Sequence, residues 1–320
     1  MKTRVRWLAV AALCVSTVAA AQPYPSKPIR FIIPFAPGGG NDIIGRVVAQ
    51  RLSDVWSQSV VVDNRGGAGS SLGTAVAAKS PPDGYTLLLT SIAIAFNANL
   101  YRNLPYDVTK DLAAVSRVAT QPSLLVVHAK VPARTVRELV DLARGKPGAL
   151  TFASAGMGSG VHFAGEIFRL AAGIDIRHVP YKGTGPALND LLGGQVDLMM
   201  STMASALPHV ATGRLRSLGI SSLRRSPAAP DIPTIAESGL PGFEYATWYG
   251  LHVPAGTPRP IVTTISAAVG RVIAAPEVRE RFAAAGVDPE SSTPEAFAAF
   301  CRVEIARWAD VVRRAGVKPE

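Results

Sequence analysis

Two glycine-rich segments could bind an anion through their backbone. Residues 34–42 read Pro-Phe-Ala-Pro-Gly-Gly-Gly-Asn-Asp, so an apolar run breaks into three glycines before a helical pattern begins. Asn41 or Asp42 is predicted to cap that helix. The first amides of a helix have no partners inside it, and the helix dipole adds partial positive charge there. This segment therefore predicts an anion site built from main-chain amides.

The second segment, residues 151–160, reads Thr-Phe-Ala-Ser-Ala-Gly-Met-Gly-Ser-Gly and again joins a strand to a helix. Neither segment is a nucleotide signature, because a dinucleotide fingerprint would need glycine in place of Ile43 or Val161. No stretch has the Gly-Lys-Ser/Thr ending of a phosphate-binding loop. Two matching anion sites predict a protein that holds a small anion between two lobes.

A competing motif is Gly69-Ser70-Ser71-Leu72-Gly73, which matches the Gly-x-Ser-x-Gly turn of serine hydrolases. Asp231 and His252 follow in the order that such enzymes use. However, a hydrolase needs a strand that leads directly into the serine, and residues 64–68 intervene here. An exported serine hydrolase that uses Ser71 is the alternative function.

The histidines show no metal-binding spacing, and no paired carboxylates or nucleophile–base cluster can be found. His162 lies in the first turn of the helix after the second glycine segment, where its ring could donate to a carboxylate or pack against Glu166. Cys301 has no evident base beside it. We therefore predict neither a metal nor a cofactor, and no enzymatic activity.

The elements that must position these groups follow an α/β pattern, in which short apolar runs alternate with helical patterns. Strands are predicted at residues 29–35, 60–63 and 85–90, and again at 151–153, 176–180 and 196–200. Ser91 follows the third strand of the first set, and Ser201-Thr202 follows the third strand of the second set. Since ligands bind outside the carboxyl ends of parallel strands, we expect both hydroxyls to face one cleft.

Two lobes are predicted from this repetition. The first comprises residues 22–120 plus 248–320, and the second comprises residues 121–247. The chain is expected to cross between them near residues 115–123 and to return near residues 245–253. Two helical stretches, residues 258–285 and 293–315, should pack back on the first lobe. The second stretch begins with a capping threonine and proline, Thr293-Pro294.

The N-terminus has the composition of a signal peptide. Lys2, Arg4 and Arg6 precede an uncharged apolar stretch over residues 7–21, which is too short to span a membrane. Residues 1–21 are therefore predicted to be a cleaved leader, and the protein to be exported to the periplasm. Without the leader, Cys301 is the only cysteine, so no intramolecular disulfide can form.

The formal net charge of +10 comes from scattered lysines and arginines rather than a basic stripe. Together with few aromatic residues, this distribution argues against nucleic-acid binding.

Motifs in a fixed order cover nearly the whole chain after the leader. They comprise residues 24–30 and 34–42, Asn64-Arg65 and the glycines after it, Asp83-Gly84-Tyr85, and residues 104–107, 178–183 and 193–197. Together they resemble the Bug family, the TctC-like solute receptors of tripartite tricarboxylate transport systems. The resemblance implies the two-lobed fold of type II periplasmic binding proteins. In that α/β fold each lobe is a mostly parallel sheet flanked by helices, and the ligand cleft lies between the lobes.

The resemblance also implies a small carboxylate ligand: a dicarboxylate, a tricarboxylate, an amino acid or an aromatic acid. Carried over by position, the residues expected to bind it are Phe35, Ala36, Gly39, Gly40, Asn41, Asp42, Ser91, Ser154, Gly158, Ser159, His162 and Thr202. Asn41 stands where the family usually has Thr or Ser. Residues 92–96 are apolar where the family often has polar residues. If that stretch faces the cleft, an aromatic or partly apolar acid is favoured over citrate.

The predicted function is a non-enzymatic periplasmic receptor that delivers a small carboxylate to the membrane subunits of a tripartite tricarboxylate-type transporter. A receptor that signals to a membrane sensor instead is a third possibility, because both roles would use the same closed form. We expect a monomer.

Overall fold

The structure is a computed structural model that describes residues 24–318. The predicted signal peptide and its cleavage site lie outside these residues. In the described part of the chain, no single helix is long and apolar enough to cross a membrane; one bent pair, Arg259–Ala274 with Pro276–Ala284, passes that test only as a pair.

The first part of the chain alternates strands and helices, as predicted. Its elements are β1 (Ile29–Ile33), α1 (Gly40–Trp56), β2 (Val60–Asn64), a short 3-10 turn (Ala68–Ser70), α2 (Ser71–Ala78), β3 (Thr86–Ser91) and α3 (Ala93–Leu100). β3 is buried along its whole length, which explains why its sequence is a continuous run of leucines rather than an alternating pattern.

The middle of the chain repeats the alternation. It contains β4 (Leu112–His128), α4 (Val136–Gly145), β5 (Thr151–Ser154), α5 (Gly160–Ala172), β6 (Arg177–Pro180), α6 (Thr184–Leu192), β7 (Leu198–Thr202), α7 (Met203–Ala211) and β8 (Leu215–Ile220). The C-terminal part contains β9 (Ala246–Pro254), α8 (Arg259–Ala274), α9 (Pro276–Ala284), β10 (Asp288–Pro289) and α10 (Pro294–Ala315).

Strand β4 joins two half-sheets. The strand order is β2-β1-β3-β9-β4-β7-β5-β6, with β8 and β10 also paired to β4. β1 runs parallel to β2 and β3, and β5 runs parallel to β6 and β7. β4 pairs with β9 as far as Pro122 and with β7 from Ser123 onward. We call the strands on the β9 side the first half-sheet and those on the β7 side the second half-sheet. The α/β class is confirmed, and the lobe boundaries at residues 121 and 248 stay a prediction.

Helix α3 differs from the sequence prediction, which describes residues 92–96 only as an apolar stretch. Ile94, Ala95 and Phe96 are at most 1% exposed and lie in the hydrophobic core. The Phe96 ring stacks on Phe163 of α5, with ring centroids 4.2 Å apart. Since these side chains face the core, the argument for an aromatic ligand that rested on them is wrong.

The C-terminal helices also differ from expectation. The helical stretch over residues 258–285 is two helices, since Ala275 is extended and Pro276 begins the next one. The predicted cap of the last helix is confirmed, because Thr293 Oγ1 accepts from the Ala296 amide.

Helix α10 does not pack on the first half-sheet alone. Arg169 of α5 donates to the Ala315 carbonyl at the end of α10. Buried Glu304 of α10 accepts the indole N–H of both Trp248 and Trp308, each at 2.9 Å. Because Trp248 lies on β9, α10 is tied to the first half-sheet and to α5 at once.

Candidate functional site

The first glycine loop, residues 36–39, leads into α1 without a side-chain cap. The residue at the N-cap is Gly39, so the predicted cap by Asn41 or Asp42 is wrong. Asp42 instead reaches back and accepts from the Gly38 amide at 3.0 Å. The first amides of α1 are therefore left for another acceptor.

Asp42 holds the first glycine loop in shape. Its carboxylate also accepts from Arg46 Nε and Asn64 Nδ2, and the same Asn64 amide donates to the Phe35 carbonyl. Burial by itself raises the pKa of Asp42, but the hydrogen bonds from Arg46 and Gly38 outweigh it, so the pKa lies below its ordinary value. The charge of Asp42 is thus used inside the loop and not at the cavity.

The second glycine loop, residues 155–159, joins β5 to α5. Ser159 caps α5, because its Oγ accepts from the His162 amide at 3.1 Å. Ser154 Oγ accepts from the Gly156 amide and pairs with His178 Nε2 at 2.6 Å. These local bonds fix the conformation of the turn. The amides of Gly160 and Val161, two residues that line the cavity, then lie in the first turn of α5, where a helix has no internal acceptor for them.

Three further helices begin at the same place. α6 starts at Thr184, directly after Gly183, and Thr184 lies so close to Gly39 that a Cβ on Gly39 would be 2.9 Å from Thr184 Cβ. α3 follows Ser91 at the end of β3, and Thr202 at the end of β7 is the N-cap of α7. Ser91 and Thr202 both line one cavity.

These elements surround a cavity whose empty volume of about 390 Å³ includes solvent at its mouth. Of the residues that the structure describes, none lining this cavity carries a charged side chain. The lining residues are Phe35, Gly39, Asn41, Ser91, Ser123, Ala155, Ser159, Gly160, Val161, Thr184, Thr202, Tyr245, Thr247 and Tyr249.

The back wall comes from β4 and β9. Tyr249 Oη accepts from Gln121 Nε2 at 2.6 Å, and Gln121 Oε1 accepts from the Ala204 amide in the first turn of α7. The Tyr249 proton is therefore available to an acceptor in the cavity. Burial raises the pKa of this phenol well above its ordinary value, so it stays a donor. Tyr245, in contrast, donates to the Gly160 carbonyl at 2.7 Å.

Asn41 contributes a donor with no partner. It is the second residue of α1 and lines the cavity, and its Nδ2 is buried without a hydrogen bond to any described residue. An unpaired buried donor costs about 1–3 kcal/mol, a cost that an acceptor in the cavity would remove.

The structure separates the twelve predicted site residues into two equal groups. Six line the cavity: Phe35, Gly39, Asn41, Ser91, Ser159 and Thr202. The other six are not among the lining residues: Ala36, Gly40, Asp42, Ser154, Gly158 and His162. The Ala36 amide, for example, donates to the Lys182 carbonyl across the cleft at 3.1 Å. The sequence reasoning missed Ser123, Thr184, Tyr245, Thr247 and Tyr249, which no local motif marks.

His162 supports the second glycine loop instead of reaching the cavity. Its Nδ1 accepts from the Gly158 amide at 3.3 Å, and its ring lies 4.1 Å from the ring of His178. Burial, with smaller effects from the charges of His178 and Arg169, lowers the pKa of His162 to about 3. Burial also lowers the pKa of His178 to about 4. Both rings are therefore neutral near pH 7 and add no charge to the cavity.

The hydrolase constellation is not assembled. β2 ends at Asn64, and Ser71 is the first residue of α2, so no strand leads into the serine. The His252 ring bonds to Thr90 Oγ1 at 2.9 Å, and Ser71 Oγ is buried without a partner among the described residues. Within residues 24–318, no group of three or more His, Cys, Asp or Glu side chains could hold a metal ion.

Comparison with known proteins decides the family. The sequence model of the tripartite tricarboxylate transporter family receptor, TctC, matches residues 44–317. The chain belongs to the TctC family. It is also 40% identical to protein BugT of Bordetella pertussis over 320 residues, which cover 98% of both chains. TctC proteins are solute-binding receptors and not enzymes, so the Ser71 hydrolase alternative is set aside.

Solved structures confirm the fold of a periplasmic binding protein. Rpa4515 of R. palustris, solved with adipate, is 34% identical, with a TM-score of 0.90 over 93% of this chain and 100% of that one. MatC of Rhodopseudomonas palustris, solved with bound malate, is 32% identical, with a TM-score of 0.86 over 90% of this chain and 100% of that one.

Proposed function

We propose that this TctC-family protein is a periplasmic receptor that captures one small carboxylate in the cavity between its two half-sheets. Five helices, α1, α3, α5, α6 and α7, begin around a single cavity whose lining offers hydroxyls and amides but no charged side chain. This convergence is the observation that carries the proposal, because helix N-termini attract anions.

The expected energetics fit a transport receptor. Each helix N-terminus contributes about 0.3–1 kcal/mol to anion binding, and each hydrogen bond to a charged group contributes about 1.5–3 kcal/mol. Micromolar affinity requires about 8 kcal/mol net. Several such donors reach that value without a lysine or arginine. A fixed positive charge would hold the anion more tightly and slow its release.

Malate and adipate are the first ligands to test. Both are aliphatic dicarboxylates, and they occupy two solved relatives with TM-scores of 0.86 and 0.90. Delivery of the ligand to the membrane subunits of a tripartite tricarboxylate-type transporter is part of the proposal and is supported by the family. Export to the periplasm is supported by the apolar leader over residues 7–21.

The test is a thermal-shift screen of residues 22–320, unfolded and refolded to remove any bound ligand. The panel contains malate, adipate, citrate, glutamate and benzoate. At a hundredfold excess over its dissociation constant, a ligand adds about 2.7 kcal/mol, which raises the melting temperature by several degrees. We expect a shift with at least one aliphatic dicarboxylate.

A matched pair of variants shows whether the shift arises in this cavity. Tyr249→Phe removes a hydroxyl whose proton is available to the ligand, whereas Tyr24→Phe removes a hydroxyl that donates to the Gly84 carbonyl, away from the cavity. Only Tyr249→Phe should reduce the shift. A panel without any shift, or an equal response in both variants, would contradict the proposed site.

A further inference from the structure

The loop that contains the unused Gly-Ser-Ser motif has an unusual backbone. Gly67, Ala68, Gly69 and Ser70 have φ angles of 142°, 45°, 56° and 93°. Positive φ is uncommon for residues other than glycine, and such conformations cost of order 1–3 kcal/mol each unless their surroundings hold them. We call residues 66–70 the docking loop.

The docking loop belongs to the first half-sheet but lies directly on the second glycine loop. A Cβ added to Gly69 would be 1.9 Å from the Met157 carbonyl oxygen and 2.8 Å from the Ser159 amide nitrogen. A Cβ on Gly66 would likewise be 2.6 Å from the Lys182 carbonyl oxygen. The two half-sheets therefore touch backbone to backbone at this point.

Asn97 of α3 holds the docking loop in this conformation. Its Nδ2 donates to the Gly69 carbonyl at 2.9 Å and to Ser70 Oγ at 3.2 Å. The side chain is fully buried, and its Oδ1 would be 2.0 Å from a Cβ on Gly158. Asn97 thus connects the docking loop to the second glycine loop, which begins α5.

We propose that Gly69 and Asn97 are positioning residues that set the closed form through direct contact of the docking loop with the second glycine loop. This proposal rests on the proposed receptor function. Part of the closing free energy then comes from the protein itself, and the ligand supplies the rest. The apparent dissociation constant rises as the binding-competent fraction falls, so loss of this contact weakens binding although neither Gly69 nor Asn97 lines the cavity.

The first test compares Gly69→Ala with Gly213→Ala. Both glycines have a similar positive φ, 56° and 69°, so both alanines carry a similar backbone cost. A Cβ on Gly213, however, would have no described atom within 4 Å, whereas that on Gly69 would collide with Met157. Only Gly69→Ala should oppose closure.

The second test uses two asparagines of α3. Asn97→Asp removes the donor to Gly69, and Asn99→Asp removes an equivalent donor to the carbonyls of Ala95 and Ile305, neither of which belongs to the docking loop. Both variants should lose stability. Only Asn97→Asp should also shift the open–closed equilibrium, which a purely structural role would leave unchanged.

Closure is measured by the distance between spin labels on Val61→Cys and Arg177→Cys, two exposed positions on the outer strands of the two half-sheets. Native Cys301 is buried. Distances are recorded without ligand and with saturating malate or adipate as probes. We expect Gly69→Ala to lower the closed-to-open ratio at least tenfold, to raise the dissociation constant by a similar factor, and to exceed Gly213→Ala in both effects.

The outcomes separate this proposal from the receptor function. Equal distance distributions in Gly69→Ala and Gly213→Ala would overturn the docking role, even if an acid binds. The absence of the short distance from the wild-type protein under every condition would overturn it as well. A thermal-shift panel without binders would contradict the receptor function, while the ligand-free distances would still test the docking contact.

Discussion

Gly40 offers the sharpest test of how tightly the site is packed. It is the first residue of α1, and a Cβ at this position would lie 2.7 Å from Tyr249 Oη and 2.8 Å from both Gln121 Nε2 and Thr202 Oγ1. Tyr249 and Gln121 are hydrogen-bonded to each other at 2.6 Å, so the added methyl group must disturb that bond. The perturbation is Gly40→Ala.

Two effects of opposite sign determine the magnitude. Replacing a helical glycine with alanine stabilises a helix by about 0.5–1 kcal/mol. Forcing a methyl group into a packed site costs roughly 1–3 kcal/mol. Gly270 of α8 provides the control, because a Cβ there would have no described atom within 4 Å. We therefore expect Gly270→Ala to be stabilising and Gly40→Ala to be about 1–3 kcal/mol less stable than that control.

The assay has two parts. Thermal unfolding followed by circular dichroism compares the two variants without ligand, and a difference of several degrees in melting temperature is expected. Isothermal titration then measures affinity for whichever of malate or adipate shifts the wild type, and Gly40→Ala should bind at least tenfold more weakly. If Gly40→Ala gains as much stability as Gly270→Ala and binds normally, the packing argument for this site is refuted.

Three further predictions concern single groups. Tyr249→Phe should weaken ligand binding about tenfold to a hundredfold, measured by titration, because a donor to a charged group is lost. His162, His178 and His252 have pKa values lowered to about 3, 4 and 3, mainly by burial. They should therefore show neutral-form NMR shifts at pH 5. In the unfolded chain these histidines are protonated below about pH 6.5, whereas in the folded protein they stay neutral. As the pH falls from about 6.5 towards 4, each histidine should therefore lower the free energy of unfolding by about 1.4 kcal/mol per pH unit. Ester hydrolysis should be absent from both the wild type and Ser71→Ala, because no strand leads into Ser71 and the His252 ring is bonded to Thr90 Oγ1.

A specific experimental result would contradict each of these three predictions. Undiminished affinity in Tyr249→Phe would mean that its hydroxyl does not meet the ligand. Imidazole shifts that titrate near pH 6.5 would mean that the buried histidines are accessible to water. Ester turnover lost in Ser71→Ala would revive the hydrolase alternative.

Local chemistry could be predicted well from the sequence. The strand, glycine turn and helix start at residues 29–56 lie in one contiguous segment, so composition and order suffice to describe them. The same is true of the cap formed by Thr293 and of the hydroxyls at the ends of β3 and β7. The roles of Asp42 and His162 could not be predicted, because their side chains turn back onto their own loops.

By itself the sequence determined the α/β class, the two glycine loops and the membership of the TctC family, because each depends on residues that are neighbours along the chain. Only the tertiary structure decided the back wall of the cavity. Tyr249 and Gln121 are 128 positions apart and meet because β9 pairs with β4. Helix α6, which begins at Thr184 after Gly183, reaches the cavity for the same reason. Strand pairing brings these distant segments together, and the sequence of any single segment does not encode that pairing.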